Sequence, residues 1–264
     1  MSFMDSETLG GVRSETSTVW QPIWPPVEGP KDVRASLACA ARILAKEGFS
    51  ENYAGHISCS DGSTGNFWCT PWGKWWGEMC ASDMILLNPD GDVVQGQWGA
   101  TPAIHIHTGI HNARPDATCV VHNHPRFATL LASHAVIPTV FTQTGLILEG
   151  EIRLISDYTG AISNKSEGAA LAGQLPSGTA ILLANHGAIT IGESIPHAVF
   201  KAVVLELICR QEYDSRVMCG PGTAQLIPEE HRHSLKRVQA EISVKAYWEG
   251  AVRSIVEDCP EVLQ

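Results

Sequence analysis

The apolar and polar positions fall into an ordered run of short elements from residue 33 onward. Val33, Leu37, Ala40, Ala41, Ile43 and Leu44 recur at helical spacing and stop before Gly48, which predicts a helix over 33–47. Short apolar segments at 56–59, 66–70 and 84–88, separated by Gly, Asp, Ser and Pro clusters, predict strands, and the Asn88-Pro-Asp-Gly91 turn leads into another at 92–95. Thr101-Pro102 opens a helix over 103–113, closed by Arg114-Pro115-Asp116. The β-branched run at 118–124 predicts a strand. Strands are also expected at 152–155 and 180–183, with 189–191 continuing the latter. Helices are expected at 126–134, 166–174 and 196–217, and 228–256 is a further helical stretch. The first thirty residues, with Pro22, Pro25, Pro26 and Pro30 in a polar setting, read as a flexible arm. Helices alternate with strands while short turns join the middle strands, so the expected class is α/β, an α/β/α sandwich around a mostly antiparallel mixed sheet. The organisation expected is an arm at 1–30, a domain at 31–225 and a C-terminal helical extension at 226–264.

Composition narrows the function classes. A chain of 264 residues, 44% of them apolar, can fill one α/β domain. The formal charge of −10, with no Lys/Arg-rich run, argues against nucleic acid or an anionic membrane as partner. The apolar stretches fall short of a bilayer span and residues 1–18 are polar without a signal-like core, so a soluble, cytoplasmic protein is expected. Eight cysteines contain no CxxC pair, and Cys39, Cys119 and Cys209 lie in apolar runs, which reads as reduced, buried thiols. No GxGxxG follows a strand, and neither GxxxxGK[ST] nor GxSxG occurs, so nucleotide-binding and serine-hydrolase chemistry lack their carriers.

Histidine and tryptophan are unevenly placed. Seven of the eleven His are His56 or lie between 104 and 136, and five of the eight Trp lie between 68 and 98. His122 and His124, two apart on a strand, project from one face and offer two cis positions of a metal site. His186, at the end of another apolar strand and followed by Gly187, is the natural third ligand. An HxH by itself reads as a strand edge; the second strand-end His moves the balance. His107 and His111 stand at i, i+4 on the expected helix, but no Glu follows His107 as HExxH requires, so His107 is expected to line the site and His111 to be solvated. His134, His197, His231 and His233 read as ordinary surface or partly buried residues.

Six motifs, in order, resemble the class II aldolase/adducin family over about 33–224: Asn52-Tyr-Ala-Gly-His-Ile-Ser58, Thr70-Pro-Trp-Gly73, Ala81-Ser-Asp83 with Asn88-Pro-Asp-Gly-Asp-Val-Val94, Ala113-Arg-Pro-Asp116, Val120-Val-His-Asn-His124 and Ala184-Asn-His-Gly187. The resemblance implies an α/β/α sandwich, a homotetramer with sites at subunit interfaces, and one divalent ion per subunit (Zn, Mn, Fe or Co) held by His122, His124 and His186. The departures are informative. The family's acidic residue, nineteen positions before the first metal His, is here Ala103, and of its three phosphate contacts two are altered, to Gly55-His56 and Thr101-Pro102, while the Ser/Thr-x-x-Gly turn stands as Thr70-Pro-Trp-Gly73. Trp72, Trp75 and Trp76 crowd the remaining turn, either as a flat apolar surface for an aromatic substrate or as core and subunit contacts. The chain is thereby similar to the family's metal-dependent decarboxylases and related non-haem iron oxygenases. The reading is a metal-dependent lyase that breaks a carbon–carbon bond, by decarboxylation or retro-aldol reaction, of a non-phosphorylated aromatic or apolar hydroxy or oxo acid. Its alternatives are an Fe(II) oxygenase performing oxidative decarboxylation and an adducin-like interaction module without catalysis. His56 and His107 are the candidate acid/base residues, since an imidazole titrates near working pH. Thr70, Trp72, Gly73 and Arg126 are the candidate substrate contacts. The partner is a small molecule, with neither nucleic acid nor membrane.

Overall fold

Strand alternation sorts the side chains onto two faces of one sheet, and that sorting places the site. The computed structural model describes residues 11–12 and 21–22 as backbone, and 29–49, 54–158 and 160–264 in full. Most of the arm at 1–30, together with Asn52 and Tyr53 of the first motif, lies outside the described residues. A short antiparallel pair, β1 (Gly11–Val12) and β2 (Gln21–Pro22), precedes α1 (Val33–Lys46), whose N-cap Asp32 accepts a hydrogen bond from the Ala35 amide at 2.9 Å. The sheet is built from β3 (His56–Ser60), β4 (Phe67–Cys69), β5 (Ile85–Leu87), β6 (Val93–Gln95), β7 (Cys119–Asn123), β8 (Ile152–Ile155), β9 (Ala180–Leu183) and β10 (Gly187–Gly192). Its order is β6-β5-β4-β3-β7-β10-β9-β8; every pairing is antiparallel except β8 with β9. The expected mostly antiparallel mixed sheet is therefore present.

Helices cover both faces. On one, Ile57 and Cys59 of β3 and Cys119 and Val121 of β7 pack with α1, α5 (Ile195–Cys219) and α7 (Val244–Asp258). Farther along this face, Ala180, Leu182 and Ala188 pack with α3 (Arg126–Ser133) and α5. On the other, Val120, Ile181, Leu183, Ile189 and Ile191 meet Ile106 and Ile110 of α2 (His105–Ala113) and Leu171 of α4 (Lys165–Gly173). With period-two alternation, the even-numbered residues of β3 and β7, among them His56, Ser58 and His122, face the α2 layer.

One expectation is corrected. Residues 189–191 do not continue the strand at 180–183: Ala184, Asn185 and His186 reverse the chain, and β10 runs back antiparallel beside β9. Asn185 takes a left-handed φ of 56°, which its short polar side chain tolerates, so the turn closes in three residues. The helical tail is α6 (Glu229–Val238) and α7 joined through a π turn at Gln239–Ser243, and Val252, Ile255 and Val262 bury against α1. No helix among the described residues is long and apolar enough to cross a membrane.

Candidate metal centre

The register of the central strands brings the histidines together. β3 pairs with β7 so that His56 lies opposite His122, and β10 pairs on the other edge with Ile189 opposite His122. His122 is buried, and its Nδ1 donates to the Ala188 carbonyl at 3.0 Å, since a carbonyl can only accept; its Nε2 is left with the lone pair. His124 follows two residues later, just beyond β7, and His186 is carried in by the β9–β10 turn. The three ring centroids stand 5.0 Å (His122–His124), 4.8 Å (His122–His186) and 5.1 Å (His124–His186) apart. One ligating nitrogen from each lies within 4.8 Å of the others, and among the described residues no carboxylate joins the group.

Local backbone chemistry allows this approach. A Cβ on Gly187 would overlap the Asn123 carbonyl oxygen and come within 2.5 Å of the His124 ring, so only glycine lets the turn carry His186 against β7. Burial, reinforced by the neighbouring imidazoles, holds His122 well below the usual histidine pKa and brings His186 down to about 4. Imidazole nitrogens gathered this closely are the donor set a divalent transition ion takes, and the three residues fit such an ion.

Behind the triad lies a second group. His56 Nδ1 is 2.6 Å from His107 Nε2; His107 Nδ1 is 2.5 Å from Ser58 Oγ; Ser58 Oγ is 2.7 Å from His111 Nε2; and His111 Nδ1 lies 2.8 Å from the Ala117 carbonyl oxygen. The His56 ring centroid is 4.9 Å from that of His122 and 4.8 Å from that of His107. Burial drives His56 and His107 well below the usual pKa, and His111 to about 4. His111 is thus not solvated as its helical position suggested: it stacks on Phe67 with centroids 5.0 Å apart and spends both nitrogens on internal hydrogen bonds.

The remaining expected contacts divide. Thr70 is buried and its Oγ1 accepts from the Ile57 amide at 3.0 Å, which ties it to the strand residue after His56. Trp76 is 1% exposed and donates from Nε1 to the Gly55 carbonyl at 3.2 Å, so it is core beneath the start of β3; Trp72 and Trp75 are 47% and 56% exposed. Gly73 forms an exposed turn with φ 89°. Arg126 opens α3, exposed, with its guanidinium 5.4 Å from the Phe127 ring centroid. Ala103 sits in the Pro102–Ile104 turn ahead of α2, where a methyl group offers no proton or ligand. A cavity of about 150 Å³ borders His186, walled by Ile155, Ile162, Leu171, Leu183 and Ala184 with Asp157 and Glu167 also lining it.

The family description "Class II Aldolase and Adducin N-terminal domain" matches residues 35–213. The chain belongs to this family. Among relatives of this class II aldolase-family protein, a 4-hydroxy-3-prenylphenylpyruvate oxygenase/4-hydroxy-3-prenylbenzoate synthase of Streptomyces roseochromogenus subsp. oscitans is 30% identical, over 73% of this chain and 70% of the relative. Decarboxylase NovR of Streptomyces niveus is 31% identical, over 65% of each. Of solved structures, L-fuculose 1-phosphate aldolase from Glaciozyma antarctica PI12 superposes with a TM-score of 0.74 at 25% identity, over 89% of this chain and 96% of that one. An aldolase II superfamily protein from Pseudomonas syringae shares the fold with a TM-score of 0.76 at 24% identity, over 88% and 95%.

Ser58 was missed by the reading of the sequence of this class II aldolase-family chain. Its signal was present: it stands two residues after His56, on the same strand face.

Proposed function

We propose that this protein is a divalent-metal-dependent lyase that breaks a carbon–carbon bond, by decarboxylation or retro-aldol reaction, of a non-phosphorylated aromatic or apolar hydroxy or oxo acid. The observation that carries the reading is the group of three imidazoles, His122, His124 and His186, whose ligating atoms lie within 4.8 Å of one another. Bound there, one Zn, Mn, Fe or Co ion supplies Lewis acidity to a substrate oxygen. The contacts of His56 with the His122 ring and with His107 support assigning these two residues the proton transfer, the task left open by Ala103. Thr70, Trp72, Gly73 and Arg126 are assigned to the substrate, with Arg126 receiving a carboxylate at the end of the segment that carries His122 and His124.

The substrate class draws support from the cavity beside His186. Its volume of about 150 Å³ matches an engineered apolar cavity that takes up one benzene ring, and Ile155, Ile162, Leu171 and Leu183 give it an apolar wall alongside its polar lining residues. Asp157 and Glu167 line it while no Lys or Arg does, so it suits the uncharged ring of the substrate and leaves the carboxylate to Arg126. On the family pattern the protein works as a cytoplasmic homotetramer. A second reading, oxidative decarboxylation with Fe(II), is favoured by the relative named as an oxygenase, against a donor set that lacks the carboxylate of the commoner non-haem iron site.

The test is to incubate the metal-loaded protein with a panel of hydroxylated aromatic 2-oxo acids and hydroxybenzoates, with and without oxygen. The lyase reading expects CO₂ or aldehyde release under strict anaerobiosis. Product formation only with equimolar oxygen consumption would replace it by the second reading, and a metal-loaded protein inert in both arms would favour an adducin-like, non-catalytic role.

A further inference from the structure

The hydrogen bonds behind the triad have a direction. The Ala117 carbonyl can only accept, so His111 Nδ1 carries the proton and His111 Nε2 the lone pair. Ser58 Oγ therefore donates its single proton to His111 Nε2 and must accept from His107 Nδ1–H. His107 Nε2 is then a lone pair, and the proton between it and His56 belongs to His56 Nδ1. His56 Nε2 is left as a lone pair, on a ring packed against His122. Each bond is short, Ser58 and His107 are fully buried, and among the described residues no carboxylate partners the relay, so an imidazolium within it would be a buried charge without a partner there.

We infer that Ser58 and His111 are positioning residues: through His107 they fix His56 in its Nδ1–H tautomer and so present its Nε2 lone pair to the metal centre as the proton acceptor. The role as acceptor rests on the lyase reading; the tautomer does not. The arrangement supplies what Ala103 withholds, a base whose proton inventory is set by a backbone carbonyl three residues' contacts away instead of by a carboxylate at the site. A histidine in water samples both tautomers; one whose Nδ1–H is committed to an acceptor does not.

The experiment is long-range ¹H–¹⁵N correlation spectroscopy of the metal-free full chain labelled with ¹⁵N-histidine, with His56 and His107 assigned from the His56→Gln and His107→Gln spectra. The expected wild-type result is the Nδ1–H pattern for His56, His107 and His111. Ser58→Ala should abolish the pure pattern at His107 and His56, giving a mixture with Nε2–H, and Ser58→Thr, which keeps the hydroxyl, should restore it. A wild-type His56 in the Nε2–H form overturns the inference without any variant, and so does a His56 left wholly Nδ1–H by Ser58→Ala. Should Ser58→Ala not fold, His111→Phe, which keeps a ring against Phe67 but removes the acceptor, is read in the same way. Because no metal is bound during the measurement, failure here leaves the metal reading standing. Conversely, an Nδ1–H His56 in a protein that binds no metal would leave the relay standing.

Discussion

At the scale of single residues, the site depends as much on what is small as on what binds. Gly187→Ala places a methyl group against the Asn123 carbonyl and the His124 ring, both held by the sheet. Overpacking of this kind costs about 1–3 kcal/mol, so the urea midpoint should fall, and the displaced His186 should weaken metal binding at least tenfold in a chelator competition. Unchanged affinity would mean that the β9–β10 turn does not set the ligand geometry. The grouping of His122, His124 and His186 was legible in the sequence because the physics was local: two residues apart on a strand, and a His-Gly at a strand end. His111 and Ser58 were not, because their roles depend on which helix lies over which strand. Helical spacing reveals that His107 and His111 share a face but not whether that face meets solvent or β3. Trp76 failed as a substrate clue for the same reason: a Trp beside a binding turn and a Trp under it read alike until its indole N–H is found on the Gly55 carbonyl.

At the scale of elements, α2 is the lever. It carries His107 and His111 on one side, and between them Gly109 meets Gly168 of α4 so closely that a Cβ on Gly109 would overlap the Gly168 carbonyl. Gly109→Ala should therefore push α2 from α4 at a cost of about 1–3 kcal/mol and loosen the His107–Ser58 hydrogen bond. The checks are thermal unfolding, and slow exchange of the His107 ring N–H in the wild type that becomes fast in the variant; a ring proton equally protected in both would show that α2 tolerates the displacement. The elements themselves were largely readable, since strands and helices of this chain announce their period and their stops: Gly48 after α1, Pro115 after α2, Ser194-Ile-Pro196 at the start of α5. The hairpin between β9 and β10 was not, because Ala184-Asn-His186 lacks the Asn-Gly or Asp-Gly pair that marks a tight turn, and only the left-handed Asn185 discloses it.

At the scale of the whole molecule, the histidine cluster is a stability device that works in one direction. His56, His107, His111, His122 and His186 all titrate below the usual value because burial disfavours their charged forms. In the unfolded chain they take protons near pH 6.5, whereas the folded chain takes them only near 4 for His111 and His186 and well below the usual value for His56, His107 and His122. Between those limits the unfolded state binds more protons, so stability rises with pH, is complete above the unfolded value and is lost as pH falls towards the folded one. The metal-free protein should show a urea midpoint that is level above pH 7 and declines steadily from pH 6.5 to 5, a window above the ordinary carboxylate range; a flat profile there would contradict the buried, neutral cluster. All of this serves one claim, that His122, His124 and His186 hold a divalent ion, and the metal content of the purified chain tests it most directly. Elemental analysis after loading and desalting should give one Zn, Mn, Fe or Co per chain in the wild type and none in folded His122→Ala or His186→Ala; full occupancy retained by either variant would contradict it.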